Sequence, residues 1–117
     1  MSFIMERRVL AHKSFFKAIS PKCCRTTANR KNLLKKANLK QIKCLCECAL
    51  NIAKGNIPLR QSAYKKFKQN KKLLHNLAFQ KIPLKHKKQL LIQKGSGFFV
   101  PLLVSVIGQA LSQLLKK

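Results

Sequence analysis

The stretch NLLKKANLKQIKCLCECALNIAK, residues 32–54, decides the fold class, because its apolar residues recur at the spacing of one helix face. Asn32 is suited to cap the start of this helix, and Gly55 follows its end. We therefore predict a Cys-containing helix over 32–54. The residues that carry the pattern are Leu34, Ile42, Leu45, Ala49, Leu50, Ile52 and Ala53.

The next segment, 55–94, is Lys-rich and begins with a turn in which Gly55 permits a left-handed exit and Pro58 disfavours helix at Ile57. Residues 59–79 predict an amphipathic basic helix. IPLK at 82–85 repeats IPLR at 57–60, which indicates a duplicated turn into a short basic helix. The apolar face of 59–79 consists of Ala63, Phe67, Leu74, Leu77 and Ala78.

The C-terminal segment, 95–117, opens with a flexible break at Gly95, Ser96 and Gly97. Residues 98–115 then carry no charge over 18 positions, which is near the lower limit for crossing a bilayer. Their helical pattern predicts either a face that contacts a membrane or partner, or the last core helix packed on 32–54. The expected contact residues are Phe98, Phe99, Leu102, Leu103, Val106, Ile107, Leu111 and Leu114.

The N-terminal segment, 1–31, interleaves apolar and basic residues and predicts a basic amphipathic helix that ends near Ser20 and Pro21. A segment that bears Arg and few acidic residues is also similar to a mitochondrial presequence, so import remains an alternative.

Charge dominates the composition. The chain has 26 Lys and Arg residues against two acidic residues, Glu6 and Glu47, which gives a formal net charge of +24. Such a charge repels itself, and a phosphate polymer would neutralise it with release of counterions. General acid and base catalysis needs paired titratable groups, and two distant carboxylates with three His provide none. We expect a polyanion-binding protein and not an enzyme.

Phosphate contact without sequence preference is the expected mode of binding. Residues 54–94 contain few aromatic residues for base stacking, and Lys is a poorer reader of guanine than Arg. We expect no cofactor, and the phosphate backbone of double-stranded DNA as the partner. The expected contacts are Lys54, Arg60, Lys65, Lys66, Lys68, Lys71, Lys72, Lys81, Lys85, Lys87, Lys88 and Lys94.

The five cysteines lie in two tight clusters, at Cys23 and Cys24 and at Cys44, Cys46 and Cys48, without the spacing of a secreted disulfide framework. On a helix Cys44 and Cys48 share a face, and Cys46 points elsewhere. A zinc site usually needs a CxxC pair on a turn, so we expect no metal and interpret Cys48 as a small buried hydrophobic residue.

The order of features resembles a viral family. A Cys-bearing helix, KGNIPL at 54–59, a Lys-rich stretch, and FFVPLLVSVIGQALSQLL at 98–115 are similar to the small basic proteins of adintoviruses and Polinton (Maverick) elements, which are compared with the adenovirus core protein precursor pX. The resemblance covers roughly residues 43–115.

The resemblance implies a virion core protein that condenses a double-stranded DNA genome in the virion and host nucleus. It also implies a cut by a viral cysteine protease between Ser96 and Gly97, although Gln93 replaces the usual aliphatic residue of that pattern.

Two alternatives share the charge of the chain. A mitochondrial or other ribosomal RNA-binding protein would use the N-terminal segment for import, and a membrane-active virion protein would insert the tail. For the fold we predict an all-α chain of three to four short amphipathic helices, loosely packed or partly disordered without nucleic acid. The tail would contact a membrane, other virion proteins or further copies of the chain.

Overall fold

The computed structural model describes residues 3–21, 23–79 and 81–115, with side chains described for residues 7–21, 23–79 and 81–109. Within these ranges the fold is all-α, as predicted, but it has eight α-helices and one π-helical turn instead of three to four helices. In chain order they are α1 (Phe3–Ala11), α2 (Lys13–Ile19), α3 (Thr27–Lys36), α4 (Leu39–Ala53), α5 (Gln61–Gln69), α6 (Lys71–Ala78), α7 (Leu84–Leu90), the π-helical turn Leu91–Gly95, and α8 (Phe99–Leu115).

Helix α4 is the centre of the fold and packs against α1, α6, α7 and α8. The helix predicted over 32–54 is wrong in one respect, because Ala37 and Asn38 are extended and separate α3 from α4. Asn38, rather than Asn32, caps α4: its side chain accepts from the Gln41 amide, and the Gln41 side chain accepts from the Asn38 amide. This capping box gives the backbone a favourable alternative to a continuous helix.

Asn70 divides the helix that was predicted over 59–79 into α5 and α6. Its backbone amide donates to the carbonyl oxygens of Lys66 and Phe67, and its side-chain amide donates to Lys66 at 2.9 Å. These bonds close the end of α5, and the non-helical backbone of Asn70 separates α5 from α6. A similar break at His12 separates α1 from α2, which ends at Ile19, next to the predicted end at Ser20 and Pro21.

The turn after α4 has the predicted geometry at Gly55, whose φ is +74°. Both IP pairs precede a helix, although α5 begins at Gln61, three residues after Pro58, and α7 begins directly after Pro83.

One apolar core unites the helices, contrary to the loose packing that we expected. Residues from α2, α4, α6 and α8 are fully buried in it, and the rings of Phe67 and Phe99 meet edge to face with their centroids 5.7 Å apart. The Cα radius of gyration is 13.0 Å, close to the roughly 13 Å of a folded domain of about 100 residues. The chain is therefore compact, and most of its charged side chains lie outside the core.

Candidate nucleic-acid interface

The twelve cations predicted to contact phosphate lie on α5, α6 and α7 and on the segments that flank them. Lys87 and Lys88 on α7 are partly buried. The other ten are exposed to solvent: Lys54, Arg60, Lys65, Lys66, Lys68, Lys71, Lys72, Lys81, Lys85 and Lys94.

Few acidic residues are available to neutralise these cations. Glu47 on α4 accepts a hydrogen bond from the Arg8 guanidinium on α1, and this is the ion pair found among the residues whose side chains are described. The bond to Glu47 raises the pKa of Arg8. Glu6 lies outside the described side chains. From Cys48 onward the sequence has no acidic residue, so the cations of α5 to α7 have no carboxylate in their own part of the chain.

Lys88 differs from its neighbours because its ammonium group bonds within the chain. Nζ donates to the carbonyl oxygens of Lys35 at 2.8 Å and Ala37 at 2.7 Å, at the C-terminal end of α3. A cation at the C-terminus of a helix satisfies free carbonyls and complements the helix dipole. Lys88 therefore connects α7 to α3. The sequence alone did not distinguish this structural role from contact with phosphate.

Lys66 lies over an exposed aromatic ring. Its Nζ is 5.7 Å from the centroid of Phe98, at a distance suited to a cation–π interaction. Phe98 retains 44% of its accessible surface. Among the predicted tail contacts it is the one that the structure leaves exposed within the described side chains.

The remaining tail residues are largely internal. Phe99, Leu103, Val106 and Ile107 are buried in the core, and Leu102 packs against it while partly exposed. The side chains of Leu111 and Leu114 lie outside the described part of α8. In the range 99–107 the apolar face of α8 is thus covered by this chain's own helices, chiefly α2, α4 and the π-helical turn.

No single helix in the described ranges has the length and apolar character needed to cross a membrane. The segments Leu84–Gly95 and Phe99–Gln109 meet these criteria only when taken together, and they are bent by 102° relative to each other.

Gly95 and Ser96 are buried, so the predicted flexible break is packed against the rest of the fold at these two residues. The Ser96 hydroxyl donates to the Ile92 carbonyl at 2.7 Å. A Cβ at Gly95 would lie in ordinary van der Waals contact, 3.5 Å from both Leu91 and Val100. Of the two residues that flank the expected cut, Ser96 is buried and Gly97 is exposed.

Arg30 is a buried cation that sequence reasoning missed. Its side chain is 4% exposed, and it donates to the carbonyl oxygens of Ser96 at 2.8 Å and of Cys24. Its Nε has no partner among the described residues. A buried charge is costly unless it is hydrogen-bonded, so these two carbonyls fix the guanidinium and join the start of α3 to the turn before α8.

The cysteines of α4 are all buried, including Cys46, which was expected to point away from the face of Cys44 and Cys48. A hydrogen bond from Cys48 lowers the pKa of Cys44, and the same bond together with burial raises the pKa of Cys48. Burial raises the pKa of Cys46 to about 11. In the described part of the chain no three His, Cys, Asp or Glu side chains are grouped so that they could hold a metal ion.

Comparison with known proteins yields no relative on which a family can be based. No protein-family model matches the chain, and neither a curated protein nor a solved structure matches it.

Proposed function

We propose that this chain binds and condenses double-stranded DNA through sequence-independent contacts with phosphate. The observation that carries the proposal is the exposure of ten of the twelve cations predicted for this role, in a part of the sequence that has no acidic residue. A cation without a carboxylate nearby is free to bind a phosphate and to displace the counterions that DNA condenses around it.

The compact core supports the proposal because it separates charge from apolar surface. The helices cover the apolar face of α8 over 99–107, and the exposed lysines project from α5, α6 and α7. Lysines spread over several helices neutralise phosphates along a duplex without selecting bases, since a lysine ammonium is a point charge. This arrangement suits condensation better than reading of a sequence by one recognition helix.

The sequence resemblance carries the finer proposal, which is a virion core protein of a double-stranded DNA virus, present in the virion and host nucleus. In that role the chain acts by binding and not by catalysis. Phe98 and the end of α8 would contact other virion proteins or a membrane, and Ser96–Gly97 would be the cleavage site. Neutralisation of the +24 charge by DNA would stabilise the folded chain and order its less stable parts.

The proposal is tested by measuring the affinity for a short duplex DNA between low and moderate salt. If about ten phosphates are engaged, the plot of log K against log salt has a slope of about −9. A slope of about −1 or −2 would contradict the proposal. Preference for a structured RNA over the duplex by more than about tenfold at equal salt would favour the ribosomal alternative instead.

Replacement of Lys65, Lys66 and Lys68 by Gln should reduce the magnitude of the slope by about three, since each lysine neutralises about one phosphate. Replacement of Lys13, Lys17 and Lys36 is the matched control, because it removes the same charge from α2 and α3. An equal reduction of the slope by both triple variants would contradict a surface centred on α5 to α7.

A further inference from the structure

A cleft of about 440 Å³ opens where the corner between α3 and α4 faces α7. Its volume lies within the range of about 300–1,000 Å³ that is typical of small-molecule sites. Three lysines line it, namely Lys35, Lys85 and Lys88, and none of its lining residues is acidic. The cleft is therefore a positively charged site that is separate from the exposed lysines of α5 and α6.

The ammonium group of Lys88 is held in place in the cleft by hydrogen bonds within the chain. Two of the three N–H donors of Lys88 bond to the carbonyl oxygens of Lys35 and Ala37, so the ammonium is held at the cleft wall with one donor left. Lys35 on α3 and Lys85 on α7 are exposed and also line the cleft. A single phosphate between them would meet three positive charges, one of which is already ordered.

The first turn of α4 opens into the same cleft through Asn38 and Leu39. The capping box satisfies the amides of Asn38 and Gln41. The amides of Leu39 and Lys40, which follow the N-cap, have no acceptor within the described part of the chain. Free amides at a helix N-terminus attract an anion, and here they reinforce the three lysines.

An apolar wall adjoins the charged one. Ile92 and Leu39 both line the cleft, and Ile92 is buried whereas Leu39 keeps 42% of its surface exposed. A bare phosphate would make no use of this wall. A nucleotide would, because its base can pack on an aliphatic side chain while its phosphate meets the lysines.

We propose that this cleft binds one unpaired nucleotide, with the phosphate at Lys35, Lys85 and Lys88 and the base against Leu39. The inference rests on the proposed binding of DNA and deepens it, since it assigns a discrete site to strand ends or unpaired nucleotides. A base inside a duplex is stacked and paired, and it could not reach the wall at Leu39.

The experiment titrates the full chain with adenosine monophosphate while backbone amide shifts are recorded by NMR. We expect saturation at one equivalent, with the largest shifts at Leu39, Lys40 and Gln89. The double substitution K35Q/K85Q should weaken binding at least about tenfold, whereas K13Q/K17Q, which removes the same charge from α2, should not change it. The variant L39A should weaken binding of the nucleotide and leave binding of inorganic phosphate unchanged.

Inorganic phosphate that binds as tightly as adenosine monophosphate would overturn the assignment of a nucleotide. Shifts that never saturate and spread over α5 and α6 would overturn the site itself. Titration of the same samples with duplex DNA separates the two proposals. A salt slope of about −9 without saturable nucleotide binding would contradict only the proposed nucleotide site. Saturable nucleotide binding with a slope of about −1 would contradict only the proposed condensation of DNA.

Discussion

The guanidinium of Arg30 lies 2.8 Å from the carbonyl oxygen of Ser96, a residue 66 positions later in the sequence. This contact links the start of α3 to the turn that leads into α8, and it buries a positive charge in a chain that already carries a large excess of them. Its contribution to stability can be measured by substitution.

Replacement of Arg30 by Ala should lower the free energy of unfolding by about 2–4 kcal/mol, because the buried carbonyls of Ser96 and Cys24 would lose their donor. Urea unfolding measures the change. Arg25, which is exposed, provides the control, and R25A should stay within about 0.5 kcal/mol of the natural chain. Equal effects of the two substitutions would show that the Arg30 contacts contribute nothing.

Replacement of Lys88 by Ala should cost about 1 kcal/mol, since the carbonyl oxygens of Lys35 and Ala37 would lose the cation that caps α3. Lys85 lies on the same helix and has no such contact described, so K85A should leave stability within about 0.5 kcal/mol. Thermal unfolding of both variants tests this. A K88A variant as stable as K85A would contradict the capping role.

Alkaline pH should destabilise the fold through Cys46. Burial raises the pKa of this thiol to about 11, above its ordinary value of 9.0. The unfolded chain therefore releases this proton first, so the stability is complete below about pH 9 and is lost as the pH rises toward 11. The loss attributable to Cys46 is about 2–3 kcal/mol.

The variant C46A isolates this effect, because titration of the lysines is common to both proteins. The difference in unfolding free energy between the natural chain and C46A should change by about 2 kcal/mol between pH 8 and pH 10.5. A difference that stays constant over this range would mean that the thiol ionises equally well in the folded chain.

If the chain binds DNA as proposed, salt should act in opposite directions on the free chain and on the complex. Added NaCl screens the repulsion among exposed cations, so the free chain should gain about 1 kcal/mol and melt about 4 °C higher between low and moderate salt. The complex should melt at a lower temperature over the same range, because salt weakens phosphate binding. Scanning calorimetry at several salt concentrations measures both, and melting temperatures that rise together would argue against a polyelectrolyte complex.

The fold class and the central helix could be predicted from the sequence, since the apolar spacing around Ile42, Leu45 and Ala49 has only one periodicity. The breaks at Asn38 and Asn70 could not. An asparagine within an amphipathic pattern is equally compatible with an exposed position on a continuous helix, and only its hydrogen bonds distinguish a cap. Each missed break divided one predicted helix into two, which explains part of the undercount.

The structural roles of individual cations could not be predicted from the sequence either. Arg30 and Lys88 lie in runs of basic residues, and nothing in the local sequence separates them from exposed basic residues such as Arg25 or Lys85. Their roles depend on carbonyl oxygens at Ser96 and Lys35, which are distant in the sequence. For α8, the same apolar stripe serves a core, a partner or a membrane, so its burial over 99–107 needed the tertiary structure.

Cys23 is exposed, whereas Cys24, Cys44, Cys46 and Cys48 are buried. The natural chain thus offers one accessible thiol for a maleimide fluorophore, without any engineered cysteine. That thiol is adjacent to Cys24, whose carbonyl accepts from Arg30. A dye attached there would report whether the contacts of Arg30 between α3 and the turn before α8 persist when DNA is added to the intact chain.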